Sequence, residues 1–204
     1  MIRARNLSIL RGSEVILHDF SVDIHPGQIT AILGPNGCGK STLLAGLSGD
    51  LLLASGEVMI DDRPLSQYSI EHLARTRAVS LQSQRFSLAF SVIEVLEMAL
   101  MCSGDVESFS QAIAALDISS LLSRKVTSLS GGEQQRVAIA MAIAQATPYL
   151  FLDEPFAAQD LESTARIKKH LRELADKGVG VVVVAHVEEE TLDWCDVKVR
   201  LSPR

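Results

Sequence analysis

The chain lacks a basic excess. Its 19 Lys and Arg face 25 Asp and Glu, for a formal net charge of −6 and a pI near 5.4. That excludes a surface built to wrap nucleic acid, which needs a cationic stripe; Arg75 and Arg77 read as an ordinary solvated pair. Cysteine is sparse as well. Cys38, Cys102 and Cys195 are odd in number and far apart, with no CxxC pair. Neither a zinc site nor a disulfide framework is indicated. The longest apolar runs, near Gly178–Ala185 and Leu150–Leu152, are too short to span a bilayer. Met1-Ile2-Arg3 opens directly onto alternating apolar residues, without the apolar core and cleavage site of a signal peptide. A cytoplasmic location is the expectation. Internal repeats and low-complexity linkers are also missing.

What is present is an apolar globular composition. The 204 residues are 47% hydrophobic and 22% charged, enough for one domain with a real core. Gly27–Leu33, Arg77–Gln82, Tyr149–Asp153 and Gly180–Ala185 are short continuous apolar runs, the pattern of strands covered on both faces. They alternate with helical patterns, which predicts an α/β layered fold. Ile2 to Ile24 alternates more and predicts antiparallel strands. The segment 87–128 reads differently, as a compact helical lobe. Ser91-Val-Ile-Glu94 has capping-box spacing ahead of Val95, Leu96, Ala99 and Leu100, and Phe109, Ile113 and Leu116 share a later helical face.

The strand ending at Leu33 delivers the chain to GPNGCGKST, that is Gly34, Pro35, Asn36, Gly37, Cys38, Gly39, Lys40, Ser41 and Thr42. This matches G-x-x-x-x-G-K-[ST], and Lys40–Leu47 reads as a helix. Glycines let backbone N–H groups turn inward around phosphates, and the helix presents its positive end to them. Lys40 supplies a point charge to the β and γ phosphates, and the Ser41 hydroxyl suits Mg²⁺. Cys38 reads as a small side chain at a permissive loop position rather than an oxidisable thiol. Downstream, Leu150-Phe-Leu-Asp153-Glu154 ends an apolar strand in two acids. Asp153 is a candidate to hold Mg²⁺ through water, and Glu154 a candidate general base for a water attacking the γ phosphate.

A second glycine turn lies at LSGGEQQR, Leu129 to Arg136. Ser130 and Glu133 form a capping box, and Val137, Met141 and Ala142 supply a buried face. This does not account for Gly131 and Gly132, each of which costs ~1 kcal/mol relative to alanine inside a helix. Bare N–H groups at the positive end of a helix suit a closely approaching anion.

Taken together, GPNGCGKST, Gln82, LSGGEQQR, FLDEP, Asp160 and His186 resemble the ATP-binding subunit of an ABC transporter. The likeness covers essentially the whole chain, and LSGGEQQR upstream of LDEP is its most specific part. The resemblance implies a P-loop NTPase with a RecA-like core, an N-terminal antiparallel β part and an inserted helical subdomain. One domain over 1–204 is expected, with the core in 1–86 and 129–204 and the helical subdomain in 87–128. ATP and Mg²⁺ are implied, with Ser41, Gln82 and Asp153 attending the metal. Gln82 would also sense a membrane partner, Glu154 would polarise water, and His186 would contact the γ phosphate. Asp160 would belong to a loop crossing a dimer interface. Ser130, Gly131, Gly132 and Glu133 would close on ATP held by a second, head-to-tail subunit. The implied partners are that subunit, transmembrane permease chains and a solute-binding protein, with the chain peripheral on the inner face of the cell membrane.

Three positions depart from the pattern. Arg11, before Gly12, stands where the family stacks an aromatic on adenine; a guanidinium plane can cover a base. Ala157-Ala-Gln-Asp160 lacks the common serine and leucine, and Ala185 replaces a hydroxyl residue before His186. Gln84 is a rival to Gln82; Gln82 is preferred because it ends the apolar run Ala78–Leu81. Gly56-Glu-Val, Arg63-Pro-Leu and His72 to Val79 are similar to importers of iron chelates, haem and cobalamin. The short stretch after His186 is similar to compact haem exporter subunits, which stand as an alternative. A soluble assembly ATPase, as in iron–sulfur cluster biogenesis, fits the length. A chromosome-maintenance ATPase needs long coiled coils, for which 82–130 leaves no room, and a small-molecule kinase would not explain LSGGEQQR.

Overall fold

The structure is a computed structural model that describes residues 1–12, 14–82, 86–186 and 189–202, with the side chains of 189 and 190 outside that description. Gln84 therefore lies outside the described residues. Two sheets organise the chain. The first is antiparallel, order β2-β1-β4-β5, built from β1 (Ile2–Arg11), β2 (Glu14–Ile24), β4 (Ser55–Ile60) and β5 (Arg63–Pro64). The second is parallel, order β6-β7-β8-β3-β9, from β3 (Ile29–Leu33), β6 (Arg77–Ser80), β7 (Tyr149–Asp153), β8 (Gly180–Val184) and β9 (Val197–Arg200).

In β1 the buried residues are Ile2 and Ala4, then Leu7 and Ile9. The parity changes because the register shifts between Ala4 and Leu7, where Asn6 takes a φ of 51°. A bulge of this kind returns the apolar set to the core after one extra residue. The central strands β3, β7 and β8 are buried at every position, so their valines, isoleucines and leucines need apolar layers on both faces.

One layer is the antiparallel sheet with α1 (Lys40–Ser48), where Ile9, Leu43, Leu44 and Leu47 meet Phe151, Val182 and Val184. The other contains α5 (Gly131–Ala144) and α6 (Leu161–Asp176), joined by α3 (Val92–Ser103) and α4 (Val106–Ala115) of the helical segment; α2 (Ile70–Thr76) leads into β6. Leu96, Ala112, Leu116 and Ile118 belong to the same buried cluster as Ile29, Leu150 and Val181. The apolar side of the helical segment is thus continuous with the core.

Three local expectations are revised. The strand expected over Arg77–Gln82 stops at Ser80, because Leu81 turns outward and is 52% exposed. The strand expected from Gly27 begins at Ile29, since Gly27 sits in a turn at φ 76°. Of the face expected to be buried on α5, Val137 and Ala142 are buried but Met141 is only half-buried, while Ala138, Ile139, Ala140, Ile143 and Ala144 are buried as well. The helix runs between the parallel sheet and the helical segment, so both sides must be apolar and small. The capping box at Ser91 is present, with the Ser91 N–H donating to Glu94 Oε2 at 2.7 Å.

Candidate functional site

The fully buried strand β3 ends at Leu33, and the chain turns sharply before α1. Gly34, Gly37 and Gly39 take φ values of 150°, 77° and 102°. Conformation alone favours glycine there, and space adds to it at Gly34: a Cβ would meet the Leu201 carbonyl oxygen at 2.7 Å. A Cβ on Gly39 would meet Ile16 at 2.9 Å. The β1–β2 hairpin therefore leans on the loop, with exposed Arg11 opposite Glu14 near its tip. Lys40 is buried at 6% exposure, and its ammonium donates to the carbonyls of Gly34 at 2.9 Å and Pro35 at 3.1 Å. Cys38 is buried at 4% exposure, as a small packed side chain rather than an exposed thiol. Ser41 is exposed and Thr42 half-buried on the first turn of α1.

Strand β7 carries Asp153 to the same end of the sheet. Burial is the largest influence on its carboxyl and pushes the pKa up; the Ser41 hydroxyl and Lys40 pull it down, and Glu154 pushes it up. Asp153 Oδ1 is buried without a hydrogen-bond partner. An orphaned carboxylate oxygen beside a serine hydroxyl is a donor set that fits Mg²⁺, which takes few carboxylates and keeps its waters.

The next residue, Glu154, has a φ of 49°, rare for a side chain this large, and its N–H is held by the Val184 carbonyl at 3.0 Å. Its Oε2 accepts a hydrogen bond from Gln82 Nε2 at 2.5 Å. Parallel pairing of β6 with β7 and of β7 with β8 brings the ends of three strands together. Gln82, Glu154 and exposed His186 accordingly line one cleft of about 430 Å³ with Asn36, Phe156 and Ala157.

The second glycine turn opens α5. Ser130 Oγ accepts from the Glu133 N–H at 3.3 Å, while the Ser130 N–H donates to Glu133 Oε2 at 2.7 Å. The Ser130 N–H first, then the Ser130 hydroxyl, hold the Glu133 pKa down, with Arg124 assisting. The two glycines differ. A Cβ on Gly131 would meet nothing within 4 Å, whereas one on Gly132 would lie 2.8 Å from the Ala158 carbonyl oxygen. Gly132 thus has a reason inside its own chain that the sequence reading did not supply. Only Gly131 faces open space.

Asp160 caps α6, accepting from the Ser163 N–H at 2.7 Å, and that bond is the main cause of its lowered pKa. Its carboxylate serves its own helix. Reasoning from sequence missed Gln159. Its Nε2 donates to the Gly132 carbonyl at 3.1 Å and its Oε1 accepts from Arg136 Nη1 at 3.4 Å. The available signal was the polar residue in Ala157-Ala-Gln-Asp160, a departure from the family pattern. Phe156 is steadied by an edge-on contact with Trp194, ring centroids 5.6 Å apart.

Comparison with known proteins agrees with this fold. The ABC transporter family model matches residues 17–157. The hemin import ATP-binding protein of Hahella chejuensis is 43% identical over 197 residues, 91% of this chain and 77% of that protein. Its counterpart in Thermobifida fusca is 40% identical over 193 residues, 91% of this chain and 68% of that protein. Among solved structures, a dimeric bacterial ABC transporter cassette superposes with a TM-score of 0.82 at 28% identity, covering 99% of this chain and 94% of that one. A dimeric post-hydrolysis cassette bound to ADP and phosphate gives 0.81 at 27% identity over 98% of this chain and 94% of that one. With the two sheets, the glycine loop and the matched family in agreement, the chain belongs to the ABC transporter family as an ATP-hydrolysing, ATP-binding subunit.

Proposed function

We propose that this subunit energises a membrane importer of a haem-type metal chelate, through ATP-driven closure and reopening of a head-to-tail dimer. The observation that carries the reading is Glu154, held at an unusual backbone angle beside buried Asp153 and hydrogen-bonded to Gln82. The import of a chelate is supported by relatives named hemin import ATP-binding proteins.

In this mechanism the backbone N–H groups that follow Pro35, up to Thr42, surround the phosphates of ATP, and Lys40 exchanges its two loop carbonyls for phosphate oxygens. Arg11 covers the adenine from the hairpin beside the loop. Ser41, Asp153 and Gln82 would hold Mg²⁺, which when bound neutralises charge on the phosphates. Glu154 takes the proton of a water aligned with the γ phosphate, and His186 at the end of β8 contacts that phosphate. Ser130, Gly131 and the first turn of α5 close on the γ phosphate held by a second copy, capping it with helix N–H groups. The loop at Asp160 lies along the same interface. ATP binding thereby favours the closed dimer, and hydrolysis removes the group that holds it shut. The exposed helical segment and the Gln82 region relay that motion to permease chains at the inner face of the membrane. Those chains, with a solute-binding protein, read the cargo.

The test is reconstitution. Purified protein is expected to release phosphate from MgATP, and deletion of the gene to abolish growth on hemin as sole iron source. Unimpaired hemin use after deletion would remove the cargo. Fractionation with soluble proteins regardless of the permease would favour an assembly ATPase.

A further inference from the structure

The glycine turn that opens α5, the signature stretch Leu129–Arg136, and the loop after Glu154 touch within one chain. A Cβ on Gly132 would sit 2.8 Å from the Ala158 carbonyl oxygen, so the two backbones run nearly in contact. Ala158 holds a φ of 57°, a left-handed conformation that a non-glycine residue keeps only when its surroundings enforce it. Gln159 is the side chain that bridges the gap. Its Nε2 donates to the Gly132 carbonyl at 3.1 Å and lies 3.5 Å from the Ala157 carbonyl, while its Oε1 accepts from Arg136 at 3.4 Å.

We propose that Gln159 is a positioning residue that fastens the Ser130–Gly132 turn to the loop beginning at Glu154. The inference rests on the roles proposed above for Glu154 and for the turn. The loop transmits displacement because it is internally bonded: the Ala157 N–H donates to Glu154 O at 3.1 Å and the Gln159 N–H to Phe156 O at 3.3 Å. A shift of the turn is therefore carried back to the base. On the α5 side, the Gly132 carbonyl belongs to the peptide unit whose N–H is that of Glu133. Holding that oxygen fixes the peptide whose N–H donates to Ser130 Oγ, and with it the first turn of α5. In a head-to-tail dimer, Glu154 serves the ATP on its own loop while the turn serves the partner's ATP. Gln159 thus joins, within one chain, elements belonging to two nucleotide sites.

The experiment uses the full chain and measures ATP hydrolysis against ATP concentration, MgATP binding to the monomer and thermal unfolding. Gln159→Met keeps the length of the side chain without its hydrogen bonds. Gln159→Glu keeps the acceptor for Arg136 but sets an oxygen against the Gly132 carbonyl. Both are expected to lower kcat about 3- to 10-fold, the worth of a neutral hydrogen bond. The Hill slope falls toward one, and monomer affinity for MgATP stays unchanged. Wild-type kcat and slope in Gln159→Met overturn the proposal. So does a loss of kcat matched by equal losses of monomer affinity and melting temperature, which marks a merely structural role. Wild-type hydrolysis by Glu154→Gln overturns both this inference and the mechanism it rests on. An unaffected Gln159→Met beside an inactive Glu154→Gln overturns this inference alone.

Discussion

Gln82 and Glu154 lie 72 positions apart in the chain and share a hydrogen bond of 2.5 Å. The bond forms because β6 pairs in parallel with β7, so the residues just past both strands leave the sheet at the same edge. A glutamine amide donates to a carboxylate oxygen, an arrangement compatible with the base role proposed above for Glu154. Glu154→Gln is expected to cut phosphate release by ~10²-fold or more while preserving an ATP-dependent dimer in size-exclusion chromatography. Hydrolysis at the wild-type rate would show that the proton goes elsewhere.

The two signature glycines are expected to respond differently. Gly131→Leu meets open space in its own chain, so the monomer keeps its stability within ~0.5 kcal/mol. Its turnover is nevertheless expected to collapse, because the leucine fills the open approach to the first turn of α5. Gly132→Ala forces a Cβ against the Ala158 carbonyl and is expected to destabilise the monomer by ~1–3 kcal/mol. Urea unfolding of the monomers, beside ATPase assays, separates the two. Equal destabilisation by both substitutions would refute the distinction.

Asp153 is kept at a cost to the ligand-free fold. Burial disfavours its charged form, adjacent Glu154 adds repulsion, and its Oδ1 has no hydrogen-bond partner. Asp153→Asn removes the charge and is expected to raise the melting temperature of the nucleotide-free protein. The same change is expected to lower MgATP turnover ~10²-fold. A variant that melts earlier than wild type would contradict this account of the buried carboxylate.

His170 on α6 makes stability pH-dependent. It is 6% exposed, and burial is the main cause pulling its pKa below the ordinary 6.5. Glu173, 3.3 Å away, opposes that shift, while Lys177 assists it. The fold therefore prefers the neutral ring. Its contribution is fully present above pH 6.5, where the unfolded ring is also neutral, and is lost as pH falls toward the folded pKa. Denaturant midpoints are expected to drop between pH 7 and 5.5 in wild type (~1.5 pH units below neutrality), and less in His170→Gln. Identical slopes in the two proteins would remove His170 as the cause.

Much of the fold was legible because local chemistry and tertiary environment ask for the same residues. Continuous apolar runs such as Tyr149–Asp153 and Gly180–Val184 occur where a strand is covered on both faces, and both are strands buried throughout. Ser91 with Glu94 and Ser130 with Glu133 satisfy helix ends within three residues, so no distant partner is needed to read them. The glycine loop was equally local, since positive φ and a following helix belong to one short stretch.

Contacts between segments distant in sequence leave no periodicity to read, and these were decided by tertiary structure. It bonded Gln82 to Glu154 and left Asp153 Oδ1 buried without a partner. It also divided the two signature glycines. Sequence determined that Gly131 and Gly132 open a capped helix; only the fold, by bringing the Ala158 carbonyl against α5, made Gly132 an internal packing requirement and left Gly131 facing outward. The physical reason is that conformational preference acts through neighbouring peptide units, whereas steric exclusion acts through whatever the sheet order brings alongside.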